Sequence, residues 1–143
     1  MPHTIRFHRV LKAVPAVVYR AFIEPAAMVK WLPPNGYVGE VERLDARVGG
    51  TYAMSFTQLA TGFRHAWHGV FRVMEAPVRL QYSAVFDDPG MAGEMVTTAT
   101  FSSVSCGTEL VVVQEGVPDV IPVEMCYLGW QESLILLGRL VEV

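Results

Sequence analysis

The side chains best suited to chemistry in this chain are its four histidines and a scatter of carboxylates. His65 and His68 are three residues apart, the spacing at which a helix would aim two imidazoles at one metal ion. They fall, however, in the run Arg64 to Glu75, which alternates apolar and polar residues as a strand does, so positions i and i+3 face opposite ways and cannot hold one ion. No third ligand occurs at useful spacing, and a metal site is not expected. Among the acids, Glu40 and Glu42 share a strand face read as solvated, Asp87-Asp88 belong to a turn, and Glu132 adjoins Trp130 on a helix. No pair is recognisable by spacing as an acid–base dyad, and no nucleophile elbow, Ser-His-Asp set, phosphate loop or dinucleotide fingerprint occurs. The expectation is no catalytic residue, no metal and no cofactor, with His65 most simply a rim residue.

Large adaptable apolar groups carry more information. Tyr52, Met54 and Phe56 alternate along one segment, Tyr82, Ala84 and Phe86 along another, and Met95, Thr97, Ala99 and Phe101 along a third. His65 shares a strand face with Trp67, Phe71 and Val73, and that face is taken as inward because it holds the larger aromatic set. Core packing alone accounts for such alternation. The surplus of methionine, tryptophan and tyrosine over tightly packing aliphatics instead suggests a lined cavity, since thioethers and aromatic rings suit varied apolar ligands. The candidate ligand-binding residues are Trp31, Tyr52, Met54, Phe56 and His65, together with Trp67, Tyr82, Met95, Tyr127 and Trp130.

The elements that position these residues follow from periodicity and turn signals. Ile5, Phe7, Arg9 and Leu11 alternate as a first strand. Pro15 opens a short helix with Val14, Val18 and Phe22 inward; Glu24-Pro25 ends it, and Pro25 starts a second one carrying Met28, Trp31 and Leu32. Strands follow over Tyr37 to Arg47, Thr51 to Thr57, Arg64 to Glu75, Leu80 to Phe86, Glu94 to Ser103 and Glu109 to Gln114, separated by turn formers. From about Val120 the chain becomes one amphipathic helix. Asp119 is its expected N-cap, and Val123, Tyr127, Trp130, Leu134, Leu137 and Val141 recur in steps of four and three along one stripe. Gly129 and Gly138 on that helix read as close approaches or tolerated losses. Strands grouped between helices indicate an α+β fold in which an antiparallel sheet of six or seven strands curves around the last helix.

With 143 residues the chain fits one domain, residues 1–143, large enough to bury a core without staples. The 52% apolar content is high, yet no apolar run approaches the roughly 20 residues that span a bilayer. A net charge of -3 with scattered lysines and arginines leaves no basic stripe for nucleic acid. The N-terminus lacks a secretory h-region, and Cys106 and Cys126 are expected as two unlinked buried thiols, so a cytoplasmic location is expected and a homodimer stays open.

Five sequence features in order, Glu24-Pro25, Lys30-Trp31, Val48-Gly49-Gly50-Thr51-Tyr52, Gly107-Thr108-Glu109-Leu110 and Gly129-Trp130, resemble the START-like (SRPBCC, helix-grip) superfamily. Within it the chain is similar to the AHSA-type branch, named after the activator of the ninety-kilodalton heat-shock protein's ATPase, over essentially its whole length. The resemblance implies a helix-grip fold and a hydrophobic cavity rather than a reaction. Relatives bind lipids, polyketides or flavonoid-like molecules, and more distant ones are cyclases or dehydratases. A co-chaperone role fits less well, because the eukaryotic activator uses an additional N-terminal domain for which this sequence has no residues. The expected function is therefore binding of a small hydrophobic molecule, with a cyclase- or dehydratase-like enzyme and a protein-interaction module as alternatives. An inward His65 or Glu132 would favour the enzyme.

Overall fold

In the computed structural model, which describes residues 2–143, the apolar alternations become seven strands: β1 (His3–Leu11), β2 (Tyr37–Leu44), β3 (Thr51–Gln58), β4 (Arg64–Glu75), β5 (Arg79–Phe86), β6 (Met95–Val104) and β7 (Gly107–Val117). Three helices accompany them, α1 (Pro15–Ile23), α2 (Pro25–Trp31) and α3 (Val123–Val141). The strands form one antiparallel sheet in the order β1-β7-β6-β5-β4-β3-β2. Because β1 and β2 lie at opposite edges, the α1–α2 segment has to carry the chain from one edge to the other. Glu24, extended at φ -100 and ψ 120, is at once the C-cap of α1 and the N-cap of α2. Pro25 enforces that break, since the residue before a proline is pushed out of helical geometry.

The core gathers where the helices meet the concave face of the sheet. Val18 and Phe22 of α1, Met28 and Trp31 of α2, and Leu134, Leu137 and Val141 of α3 are buried against Leu80, Phe101, Leu110 and Val112. Trp31 is fully enclosed, with its indole N–H donating to the Ala21 carbonyl at 2.7 Å and its ring 4.7 Å from Phe22. The sheet bends at register shifts between His3 and Ile5, Val41 and Arg43, and Phe71 and Val73. An extra residue in one strand locally increases twist and curvature.

Several boundaries depart from expectation for identifiable reasons. The third register shift inverts the alternation of β4, so Met74 packs on the core in place of Val73. Helix α3 starts at Val123, not near Val120, because Pro118 to Ile121 close a turn (Ile121 N–H to the Pro118 carbonyl, 3.0 Å). Pro122 is the N-cap, with no side-chain cap, and Asp119 lies in that turn with its carboxylate 3.7 Å from His3 Nε2. Strand β7 continues past Gln114 to Val117 through Gly116, which has a φ of +77. A Cβ at that position would stand 2.4 Å from the Glu94 carbonyl oxygen, so only glycine fits. Strand β2 stops at Leu44, short of Arg47, and Val14 is the exposed N-cap of α1, not part of its inner face. Of the cysteines, only Cys126 is partly buried; Cys106 is exposed in the β6–β7 turn, and both are free thiols.

Candidate functional site

The site lies between the concave face of the sheet and one end of α3. At its C-terminal half Leu134, Leu137 and Val141 are buried in the main core, whereas the N-terminal half packs on Ile5 and Val117 at one side and borders a cavity of about 540 Å³ at the other. A volume of this size is ordinary for a small-molecule site. Tyr52, Met54 and Phe56 of β3, Trp67 and His65 of β4, Tyr82 of β5, Met95 of β6 and Trp130 of α3 all line it. Eight of the ten residues singled out from sequence are thus brought together around one space.

Trp31 and Tyr127 line no part of the cavity. Trp31 is locked in the α1–α2 core by its bond to Ala21, as above. Tyr127 turns instead toward the β1 edge, its ring 5.1 Å from Phe7, in a second apolar cluster with Ile5, Met95 and Val117. A helical stripe is wide enough for neighbouring members to reach different partners, and spacing alone does not separate them.

Other wall residues were not evident from the sequence. Phe22, Met28 and Leu32 contribute from the helix pair, Met91 from the β5–β6 loop, and Thr97 and Gln114 from the centre of the sheet. Thr97 shares the alternating face of Met95, but only pairing register sets it between Tyr82, across β5–β6, and Gln114, across β6–β7. Gly129 also borders the cavity, and a Cβ built there meets nothing within 4 Å. It is not a close approach, and the reading of a tolerated loss of helix propensity is the one that remains. Gly138 differs, with a Cβ meeting the Glu142 carboxylate at 3.3 Å and the Leu11 side chain at 3.8 Å.

Few polar groups enter. The Tyr52 hydroxyl donates to the Ser83 carbonyl at 2.6 Å, and burial pushes its pKa far up, with the neighbouring Tyr82 adding to the shift. Burial likewise pushes Tyr82 up to about 12, while hydrogen bonding from Thr97 acts the other way. The Cys126 thiol is raised by burial and then by Glu124, so it stays protonated and unreactive at neutral pH. Among the described residues His65 is the one histidine and Glu132 the one acidic residue on the wall. The His65 ring lies 4.6 Å from exposed Phe63 and 6.2 Å from Tyr37, and a Glu132 oxygen accepts the Asn35 backbone N–H at 2.9 Å. Exposed Met125 and Leu128, with Asn35, mark the mouth. His68 is on the opposite face of β4, bonded to Asp87 at 2.8 Å. Among the described residues no three histidine, cysteine or acidic side chains are grouped so as to hold a metal ion. No helix of the described residues is long and apolar enough to cross a membrane.

Comparison with known proteins places this geometry in a family. A crystal structure of a protein from Chromobacterium violaceum matches with a TM-score of 0.98 and 53% sequence identity, covering 100% of this chain and 99% of that one. A protein from Rhodobacter sphaeroides follows at 0.83 and 22% identity, covering 96% and 90%. An AHSA1-like protein from Aeromonas hydrophila, solved in solution, gives 0.79 and 22%, covering 98% and 92%. At 22% identity such likeness speaks for the fold alone. No curated protein matches. The family described as Activator of Hsp90 ATPase homolog 1-like protein matches residues 12–142, almost the entire chain and every element that walls the cavity, and the chain belongs to that family.

Proposed function

We propose that the protein binds a small, neutral, largely apolar molecule in the cavity between the sheet and α3. The observation that carries this reading is the unfilled space of about 540 Å³ behind a wall of aromatic and thioether side chains. Packed interiors leave few voids larger than a water molecule, so a cavity this large departs from a simple core. Among the described residues no lysine, arginine or aspartate lines the cavity, so an ion inside would lose hydration with little to replace it, which favours a neutral occupant. The free thiols Cys106 and Cys126 fit a reducing, cytoplasmic setting.

Native mass spectrometry of the protein purified from its own host tests the reading. A co-purifying neutral compound, displaced by an environment-sensitive apolar dye, is expected. An empty protein that binds no such dye would overturn the reading. A second reading, an enzyme using the same cavity, draws on the presence of His65 and Glu132 on its wall. It requires that the captured compound change mass on incubation and that His65→Ala or Glu132→Gln stop the change.

A further inference from the structure

We infer that the cavity wall carries a one-way hydrogen-bond chain, Trp130 to Gln114 to Thr97 to Tyr82, which leaves the Tyr82 O–H as a donor for an oxygen acceptor on the occupant. The preferred occupant is then not a bare hydrocarbon but an apolar molecule with a carbonyl or a similar neutral acceptor. This rests on the binding reading above and narrows it.

Register builds the chain. Tyr82, Thr97 and Gln114 are direct partners across β5, β6 and β7, a polar row crossing three strands on the concave face. Phe71 pairs with Tyr82 at one end of the row and Ile5 with Gln114 at the other, so the row is bounded by apolar side chains. Direction follows from the donor inventory. An indole can only donate, so the Trp130 N–H, 3.2 Å from Gln114 Oε1, fixes which way that amide points. The Gln114 Nε2–H then donates to Thr97 Oγ1 at 3.1 Å. Thr97 is 1% exposed and pairs directly with Tyr82; having accepted from Gln114, it can donate its one hydrogen to the phenol oxygen, the direction that lowers the Tyr82 pKa against burial.

Tyr82 therefore holds the surplus hydrogen. The Tyr82 side chain is partly exposed, and the space it borders is the cavity. Its upward pKa shift keeps that hydrogen in place at neutral pH. An occupant with no acceptor leaves this donor unpaired against an apolar surface, whereas a ketone oxygen completes the chain.

Two dyes of matched shape separate the possibilities: an aminonaphthalene bearing a propionyl ketone, and the same ring system with propyl in its place. Their affinities are measured for the wild type and Tyr82→Phe by fluorescence titration, with circular dichroism as the check on folding. The substitution is expected to weaken the ketone by about 3- to 10-fold, the scale of one neutral hydrogen bond, and to leave the propyl dye within about twofold. The bound ketone's emission is also expected to move to shorter wavelength in the variant, as its carbonyl loses a donor. Thr97→Val, which keeps the phenol but removes its orienting neighbour, is expected to weaken the ketone selectively too, and it serves as the test should Tyr82→Phe fail to fold. Equal effects on both dyes, or none on either, overturn the chain while binding itself stands. Failure of both dyes to bind the wild type overturns the chain and the binding reading together.

Discussion

Tyr52 on β3 donates its hydroxyl to the backbone carbonyl of Ser83 on β5 at 2.6 Å, crossing over Gly69 of the strand between them. The crossing is possible because residue 69 has no side chain. A Cβ there would stand 1.8 Å from the Ser83 oxygen and 2.8 Å from a Tyr52 ring carbon. Gly69→Ala is therefore expected to destabilise the protein by about 3 kcal/mol, the upper part of the usual range for overpacking. Tyr52→Phe, which leaves one buried carbonyl without this donor, is expected to cost about 1 to 2 kcal/mol. Denaturant melts of both variants check the order; an alanine at position 69 that costs less than the lost hydroxyl would show that the sheet yields where this packing says it is rigid.

The same tyrosines predict an alkaline limit to stability. Folding raises the pKa of Tyr52 strongly and that of Tyr82 to about 12, chiefly by burial. A group whose proton is held more tightly in the folded state makes the unfolded state bind fewer protons once pH exceeds the unfolded value of about 10. The contribution of these tyrosines is then flat below about pH 10 and falls above it, by up to about 1.4 kcal/mol per pH unit for each. Urea midpoints across this range, compared between wild type and Tyr82→Phe, check the sign: the variant is expected to lose less on going from about pH 9 to about pH 11.

Three tryptophans are expected to behave differently on truncation. Trp31→Ala removes a fully enclosed, hydrogen-bonded ring and is expected to cost at least about 3 to 5 kcal/mol, with little effect on dye affinity in whatever fraction folds. Trp67 is half-buried, its ring 4.6 Å from Phe56 with one side open to the cavity, so Trp67→Ala is expected to cost about 1 to 2 kcal/mol and to change dye affinity. Trp130 combines the two situations, 5.9 Å from Phe7 and 6.4 Å from Trp31 on one side and lining the cavity on the other. Its alanine variant is expected between them, at about 2 to 3 kcal/mol. Melts and dye titrations on the three proteins check the ranking, which fails if Trp67→Ala proves the most damaging.

Gly129 offers a test of the void that needs no ligand chemistry. Gly129→Ala puts a methyl group into open space on a helix and is expected to stabilise the protein by up to about 1 kcal/mol, the helix-propensity difference. Gly129→Phe is expected to fold and to compete with dye for the cavity. A well-folded phenylalanine variant with unchanged dye affinity would place the dye elsewhere.

Local rules settled most of the architecture from the sequence alone. Alternation with period two, proline and glycine punctuation, and the four-three stripe on α3 act between residues close in the chain, so they report strands, breaks and helix faces directly. The inward faces carrying Tyr52, Met54 and Phe56, or Tyr82 and Met95, follow from that alone. Long-range packing decided the rest. The residue that shifts the register between Phe71 and Val73 put Met74, not Val73, in the core, and nothing in the local pattern of β4 marks where its partner strand slips. Trp31 and Tyr127 have the composition and spacing of cavity residues. Whether such a ring meets a void or another ring depends on which distant segments it meets, Ala21 and Phe22 for Trp31 and Phe7 for Tyr127. Gln114 and Thr97 became neighbours of Tyr82 only through pairing across three strands, because register is a relation between distant segments that no single segment carries.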